Sequence, residues 1–229
     1  MRRAFSLVEL VFVVAVVSIL ASVFAAKFTP NPLVLAANQI ASHIRYAQFL
    51  ALSDDSFDPA LNEWHTTWQI VEFSNINTAK RVKNVCENQN CWRYNLYRDK
   101  TGSTNLNSLR QATPDPLAPQ KRLTAGFSPG SMTQEAINAL NLKLNLTYTY
   151  GVKRVRFSGG CVARSEGVGL KLRFDELGRV YLENSKKPYD NAITSTCEIS
   201  LFDAKGRCWA VRVAAQTGFV RSGECAQGA

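Results

Sequence analysis

Four sets of residues in this 229-residue chain could carry chemistry: one carboxylate inside an apolar run, six cysteines, two histidines and a group of arginines. Glu9 is the only ionisable side chain between Phe5 and Ala26. A charge in such a run costs about 3 kcal/mol on insertion scales, so by default it is functional and has a partner to find. The cysteines are even in number and absent from the first 85 residues, which suits disulfides formed outside the cytosol. His43 and His65 fall in no nucleophile, metal or general-base motif, and no glycine-rich phosphate loop follows a strand. No enzyme, no metal site and no cofactor is expected. The carboxylates of Asp54, Asp55 and Asp58 read as an acidic turn ending a helix.

Two cysteine pairs follow from local geometry and a third by elimination. Cys86 and Cys91 are separated by Glu-Asn-Gln-Asn, a loop short enough to close, while zinc lacks a second Cys or His pair nearby. A hairpin centred on Gln216 and Thr217 sets Cys208 opposite Cys225, where opposed Cβ atoms come within bridging reach. Cys161 and Cys197 remain.

The same hairpin sets Arg212 opposite Arg221, a like-charge pair that destabilises a sheet unless an anion sits there. A phosphate would relieve it. The formal net charge is +9, and residues 153–187 hold nine Lys or Arg against four acids. Arg207, Arg212 and Arg221 are therefore candidate DNA contacts, against the competing reading of a solvated basic face.

These residues need elements to hold them. The 22 residues from Phe5 to Ala26 would span about 33 Å as a helix, enough for a hydrocarbon core of about 30 Å. Arg2 and Arg3 before it keep that end cytoplasmic and send the rest outward. Ordinary secretory cleavage near Ala26 is the competing reading. Pro30 and Pro32 interrupt the helix, and Leu33, Ala37, Ile40, Ile44, Ala47 and Ala51 then recur at three- or four-residue spacing, one face for a core. Strand patterns occur at 68–73, 93–99, 144–152, 155–157, 168–174, 179–184, 197–202 and 207–215, with turns at Asp175–Gly178 and Asp203–Gly206. Residues 76–150 otherwise read as a long polar loop region.

Arg2-Arg3-Ala4 followed by Phe-Ser-Leu-Val-Glu and an unbroken apolar run resembles the leader of type IV prepilins. The stretches ASHIRYAQFLAL (41–52), FDELGR (174–179), ISLFDAKGR (199–207) and QTGFV (216–220) resemble the H-type minor pseudopilins and related minor pilins. Where that family usually has Gly before the Phe, this chain has Ala4. The resemblance implies cleavage by a prepilin peptidase between Ala4 and Phe5 and methylation of the new amine. It implies a role for Glu9 in pairing with a neighbour's N-terminus, and assembly on an inner-membrane platform with other pilins. It also implies an α+β, type IV pilin-like fold in which a long N-terminal helix packs on an antiparallel β-sheet head. The expected organisation is a leader over 1–4, a helix over 5–53 (5–26 in the membrane, 33–53 amphipathic) and a periplasmic head over 54–229. A minor pseudopilin of a type II secretion or type IV pilus-like fibre is the leading expectation. A DNA-binding minor pilin and a signal-anchored envelope protein of unrelated role are the alternatives.

Overall fold

The computed structural model describes residues 6–27, 30–54, 68–76, 90–98, 105–127, 132–162, 169–182 and 189–226. The chain divides into two compact units, Met1–Asn31 and Pro32–Ala229. In the first, α1 (Leu7–Lys27) exposes every side chain described, those through Ser22. Among the described residues no helix is long and apolar enough to cross a membrane. The apolar run from Phe5 to Ala26 extends beyond the described side chains at both ends.

The expected long N-terminal helix, interrupted at the prolines and packed on an antiparallel β-sheet head, is not what forms. The protein instead has ten strands in three antiparallel sheets and four α-helices, among the described residues, and its N-terminal region is two separate 21-residue helices. The proline pair explains the division. Proline disfavours helix in the residue before it and breaks a helix interior, but it suits a first helical position, which Pro32 takes in α2 (Pro32–Leu52).

The helix that packs on the sheets is α2. All six residues of its apolar stripe are buried, joined by Ala36 and Ala41. Five alanines on this face let the backbone come close, while Leu33, Ile40 and Ile44 supply the bulk, each worth about 1.5–3 kcal/mol when fully buried. The helix contacts strands of both larger sheets. The first sheet has the order β2 (Cys91–Arg98), β1 (Gln69–Ile76), β6 (Leu170–Phe174), β7 (Val180–Leu182). The second has the order β10 (Val220–Glu224), β9 (Cys208–Val213), β8 (Cys197–Phe202), β5 (Arg154–Gly159). The third sheet is the short pair β3 (Pro114–Asp115) and β4 (Ala118–Arg122).

The region 76–150 is not simply a long loop. Beyond β2, β3 and β4 it forms α3 (Gln134–Ala139), a 3-10 turn (Leu142–Leu144) and α4 (Leu146–Tyr150). The strand expected over 144–152 is a helical turn because its ends are capped: the Asn145 side chain accepts from the Tyr148 amide, and Gly151 closes the turn at φ 69°. This region also builds a second apolar cluster around Ile70, Tyr97, Phe127, Met132 and Leu140. Ile70 and Tyr97 alternate along their strands with the main-core residues Val71 and Leu96, so the cluster covers the opposite face of the first sheet. The expected alternation in β6 therefore leaves neither face wet. Lys171 and Arg173 are buried, and Lys171 Nζ donates to Asn105 at 2.9 Å and pairs with Glu72 at 3.4 Å.

Two hairpin turns share the pattern Phe-Asp-x-x-Gly-Arg and one bonding scheme. Asp175 Oδ1 accepts from the amides of Leu177 and Arg179 while its Oδ2 accepts from Arg179 Nε; Asp203 does the same with Lys205 and Arg207. Gly178 and Gly206 take the left-handed conformation that each turn requires, at φ 73° and 76°.

Replacing Ile44 with Ala should cost about 2–5 kcal/mol of unfolding free energy, whereas Ser42→Ala on the exposed face should stay within about 0.5 kcal/mol. Urea denaturation of the two variants measures the difference.

Candidate functional site

The start of α1 is built by its own sequence. Ser6 precedes the helix, its carbonyl accepts from the Leu10 amide, and its hydroxyl accepts from the Glu9 amide at 3.2 Å. Ser6 and Glu9 thus have the S-x-x-E spacing of a capping box, in which a carboxylate at the third helical position also favours the positive end of the helix dipole. This gives Glu9 a local role that the sequence reading missed, although Ser-Leu-Val-Glu signals it. Ala4 and Phe5, the expected processing residues, lie outside the described residues.

Cys161 is bonded to Cys197 and Cys208 to Cys225, with Cα atoms 4.7 and 5.7 Å apart. The close approach at the first bridge depends on glycine. A Cβ on Gly159 would collide with the Thr196 carbonyl oxygen and one on Gly160 with that of Ser195. Cys91 is disulfide-bonded as well, and its expected partner Cys86 lies outside the described residues.

Arg212 and Arg221 lie on the face of the second sheet that points away from the core, since Cys197, Ile199, Leu201, Val211, Val213 and Val220 alternate inward, while Arg207 stands in the turn before β9. Strand register sets the outer residues in three rows: Ser158, Glu198, Arg212, Arg221; Arg156, Ser200, Ala210, Gly223; and Arg154, Phe202, Cys208. Arg212 and Arg221 are opposed, and the anion beside them is the chain's own: Arg212 Nε donates to Glu198 Oε2 at 2.6 Å, and its Nη2 to the Glu224 carbonyl at 2.7 Å. Arg207 pairs with Asp203 at 2.7 Å. Arg221 is exposed, as are Arg154 and Arg156 of β5, which the sequence reading did not single out. Glu198 was within reach of that reading, because the turn at Asp203–Gly206 fixes the register that sets it opposite Arg212.

On the other side of the core, α2 holds a polar cluster. Gln39 Nε2 donates to the Tyr94 hydroxyl at 2.7 Å and to the Lys143 carbonyl at 2.9 Å, while Tyr150 donates to Gln39 Oε1 at 2.6 Å. The hydroxyl of Tyr94 also lies 2.7 Å from His43 Nδ1, and the imidazole tautomer sets which of the two donates. Burial lowers the His43 pKa from its ordinary value, opposed by the charge of Asp115. No group of three or more potential metal ligands occurs among the described residues. No protein-family model, characterised protein or solved structure matches the chain.

Two outcomes are expected. Glu198→Gln should cost about 1–3 kcal/mol by leaving a half-buried guanidinium without its anion, and added sulfate should restore part of that loss in thermal melts. Burial disfavours the charged form of His43 in the fold, so its contribution to stability is complete above the ordinary imidazole value of about 6.5 and falls as pH drops through that value toward the lowered native one. Urea midpoints from pH 8 to 5 should fall for the native chain and fall less for His43→Gln.

Proposed function

We propose that the protein is a minor pseudopilin, a membrane-stored subunit of a periplasmic type II secretion or type IV pilus-like fibre. The observation that carries the reading is α1: its described side chains are apolar on all sides, and its one carboxylate stands at a capped N-terminus. A helix that is apolar all round needs lipid or other helices around it. Cleavage between Ala4 and Phe5 by a prepilin peptidase would leave a charged amine four residues before Glu9. In a bundle of such helices, Glu9 of one subunit would neutralise the amine of its neighbour. An ion pair in low dielectric is costly to break, so it sets register more than it adds net stability. The disulfides support a head that matures in an oxidising compartment, which agrees with an inner-membrane anchor and a periplasmic head. Its partners would be other pilins or pseudopilins and an inner-membrane assembly platform.

Capture of DNA is the competing function. Its specific motive was an opposed arginine pair in need of a phosphate, and Glu198 already supplies that anion. What remains in its favour is the exposed arginines of the same face.

Glu9→Val should abolish or strongly reduce incorporation into fibres while leaving the amount of membrane-stored protein unchanged, as read by immunoblot of membrane and sheared-fibre fractions. Normal incorporation of that variant would sink the register role of Glu9. For the competing function, duplex DNA titrated against the full chain in detergent across a salt series should show no tight, steeply salt-dependent binding.

A further inference from the structure

The two four-stranded sheets have four outer strands, and three of them are covered. β2 carries isolated bridges from Asn145, Thr124 and Ala112, and β7 carries one from Ala192. β10 lies against α2, from which Arg45 Nη2 donates to the Val220 carbonyl at 2.7 Å. The fourth, β5, ends its sheet with β8 as its only paired strand among the described residues. A six-residue strand with one open side presents a row of unpaired backbone donors and acceptors, which is a template for another strand.

The side chains of β5 say what that strand would carry. On the outer face stand Arg154 and Arg156, both exposed, with Lys153 next in the chain. Arg154 is held over the Phe202 ring, 4.1 Å from its centroid, so its guanidinium is positioned at the margin of the sheet. On the inner face Val155 is buried, but Phe157 is only half-buried although it packs edge-on against Phe73 and Trp92. The core is therefore incomplete beside the open strand. A strand added there would run about 4.8 Å away and place its alternate residues beside these two sets.

We propose that β5 is a docking edge for an extended segment of a partner protein, one that alternates acidic with apolar residues and joins the second sheet as a fifth strand. Its acidic side chains would pair with Arg154 and Arg156, and its apolar ones would cover Phe157. A peptide fits this edge better than a nucleic acid does, because a phosphodiester chain has no regular donors and acceptors to match a strand, and no exposed aromatic ring stands on β5 for a base to stack on. The proposal goes beyond assembly through α1 and stands whether or not the fibre role does.

The test uses the full chain in detergent and a fluorescent, end-blocked peptide of four Glu-Val repeats. Three companions are needed: a Lys-Val analogue, a Glu-Val peptide N-methylated at alternate residues, and duplex DNA of equal charge. The Glu-Val peptide should bind and slow hydrogen exchange of amides within Arg154–Gly159, and both peptide analogues should fail. Charge reversal at Arg154→Glu and Arg156→Glu should weaken binding about tenfold, with circular dichroism confirming that the variant is folded. Equal binding of the N-methylated peptide would show attraction by charge alone and overturn strand addition. Exchange protection away from β5, or DNA binding that displaces the peptide and exceeds its affinity, would overturn the proposal as well.

Discussion

The head depends on one constraint, the burial of the α2 stripe against two sheets at once. A helix made only of large residues could not approach both, and one made only of alanine would leave voids. The alternation of Ala36, Ala37, Ala41, Ala47 and Ala51 with Leu33, Ile40 and Ile44 resolves that conflict. The polar residues at the margins of the stripe then secure the approach. Gln48 Nε2 donates to the carbonyls of Gly178 and Thr217, tying one turn from each sheet to the same side chain. Gly218 belongs to this contact, because a Cβ there would press on both the Gly178 carbonyl and Gln48.

Several cations of the sheets and their turns are met by acids of the same chain: Lys171 by Glu72, Arg179 by Asp175, Arg207 by Asp203 and Arg212 by Glu198. The two Phe-Asp-x-x-Gly-Arg turns show how context changes the value of one local motif. Asp203 sits near the surface, where its pair with Arg207 is screened by water. Asp175 is fully buried, and the Tyr181 hydroxyl donates to it at 3.0 Å in addition to the turn bonds. The Arg179 guanidinium lies over the Tyr189 ring, 5.0 Å from its centroid, extending that turn into an aromatic cluster with Trp68. The same six-residue pattern is thus a surface turn in one sheet and a structural anchor in the other. Glu198 likewise places an acid of the chain against Arg212, one of the two arginines opposed across β9 and β10.

The N-terminal unit is organised by different physics. In α1 backbone hydrogen bonds, the Ser6 cap and the Ser18 and Ser22 hydroxyls, which donate to the Val14 and Ile19 carbonyls, define the helix locally, and the apolar side chains contribute where lipid or other helices surround them. The second sheet's outer face has its own asymmetry, with its charge pairs concentrated at β8 and β9 and its exposed arginines at the rims, on β5 and β10.

What the sequence determined by itself was whatever rests on short-range rules. The amphipathic stripe of α2, the turns at Asp175–Gly178 and Asp203–Gly206, and the register that sets Arg212 against Arg221 all follow from periodicity and turn chemistry within about twenty residues. The Ser6 cap was equally legible and went unread. Tertiary structure alone decided the rest. Whether Lys171 and Arg173 meet water depended on residues 105–127 and 132–140 folding over the first sheet, a contact that no local pattern encodes. The strand pattern at 144–152 is instead a local case that went unread: Asn145 and Gly151 cap it as a helical turn, outweighing the β preference of its threonines and tyrosines. Local sequence sets the period and the turn, but pairing and burial are properties of surfaces that meet only after the chain has folded.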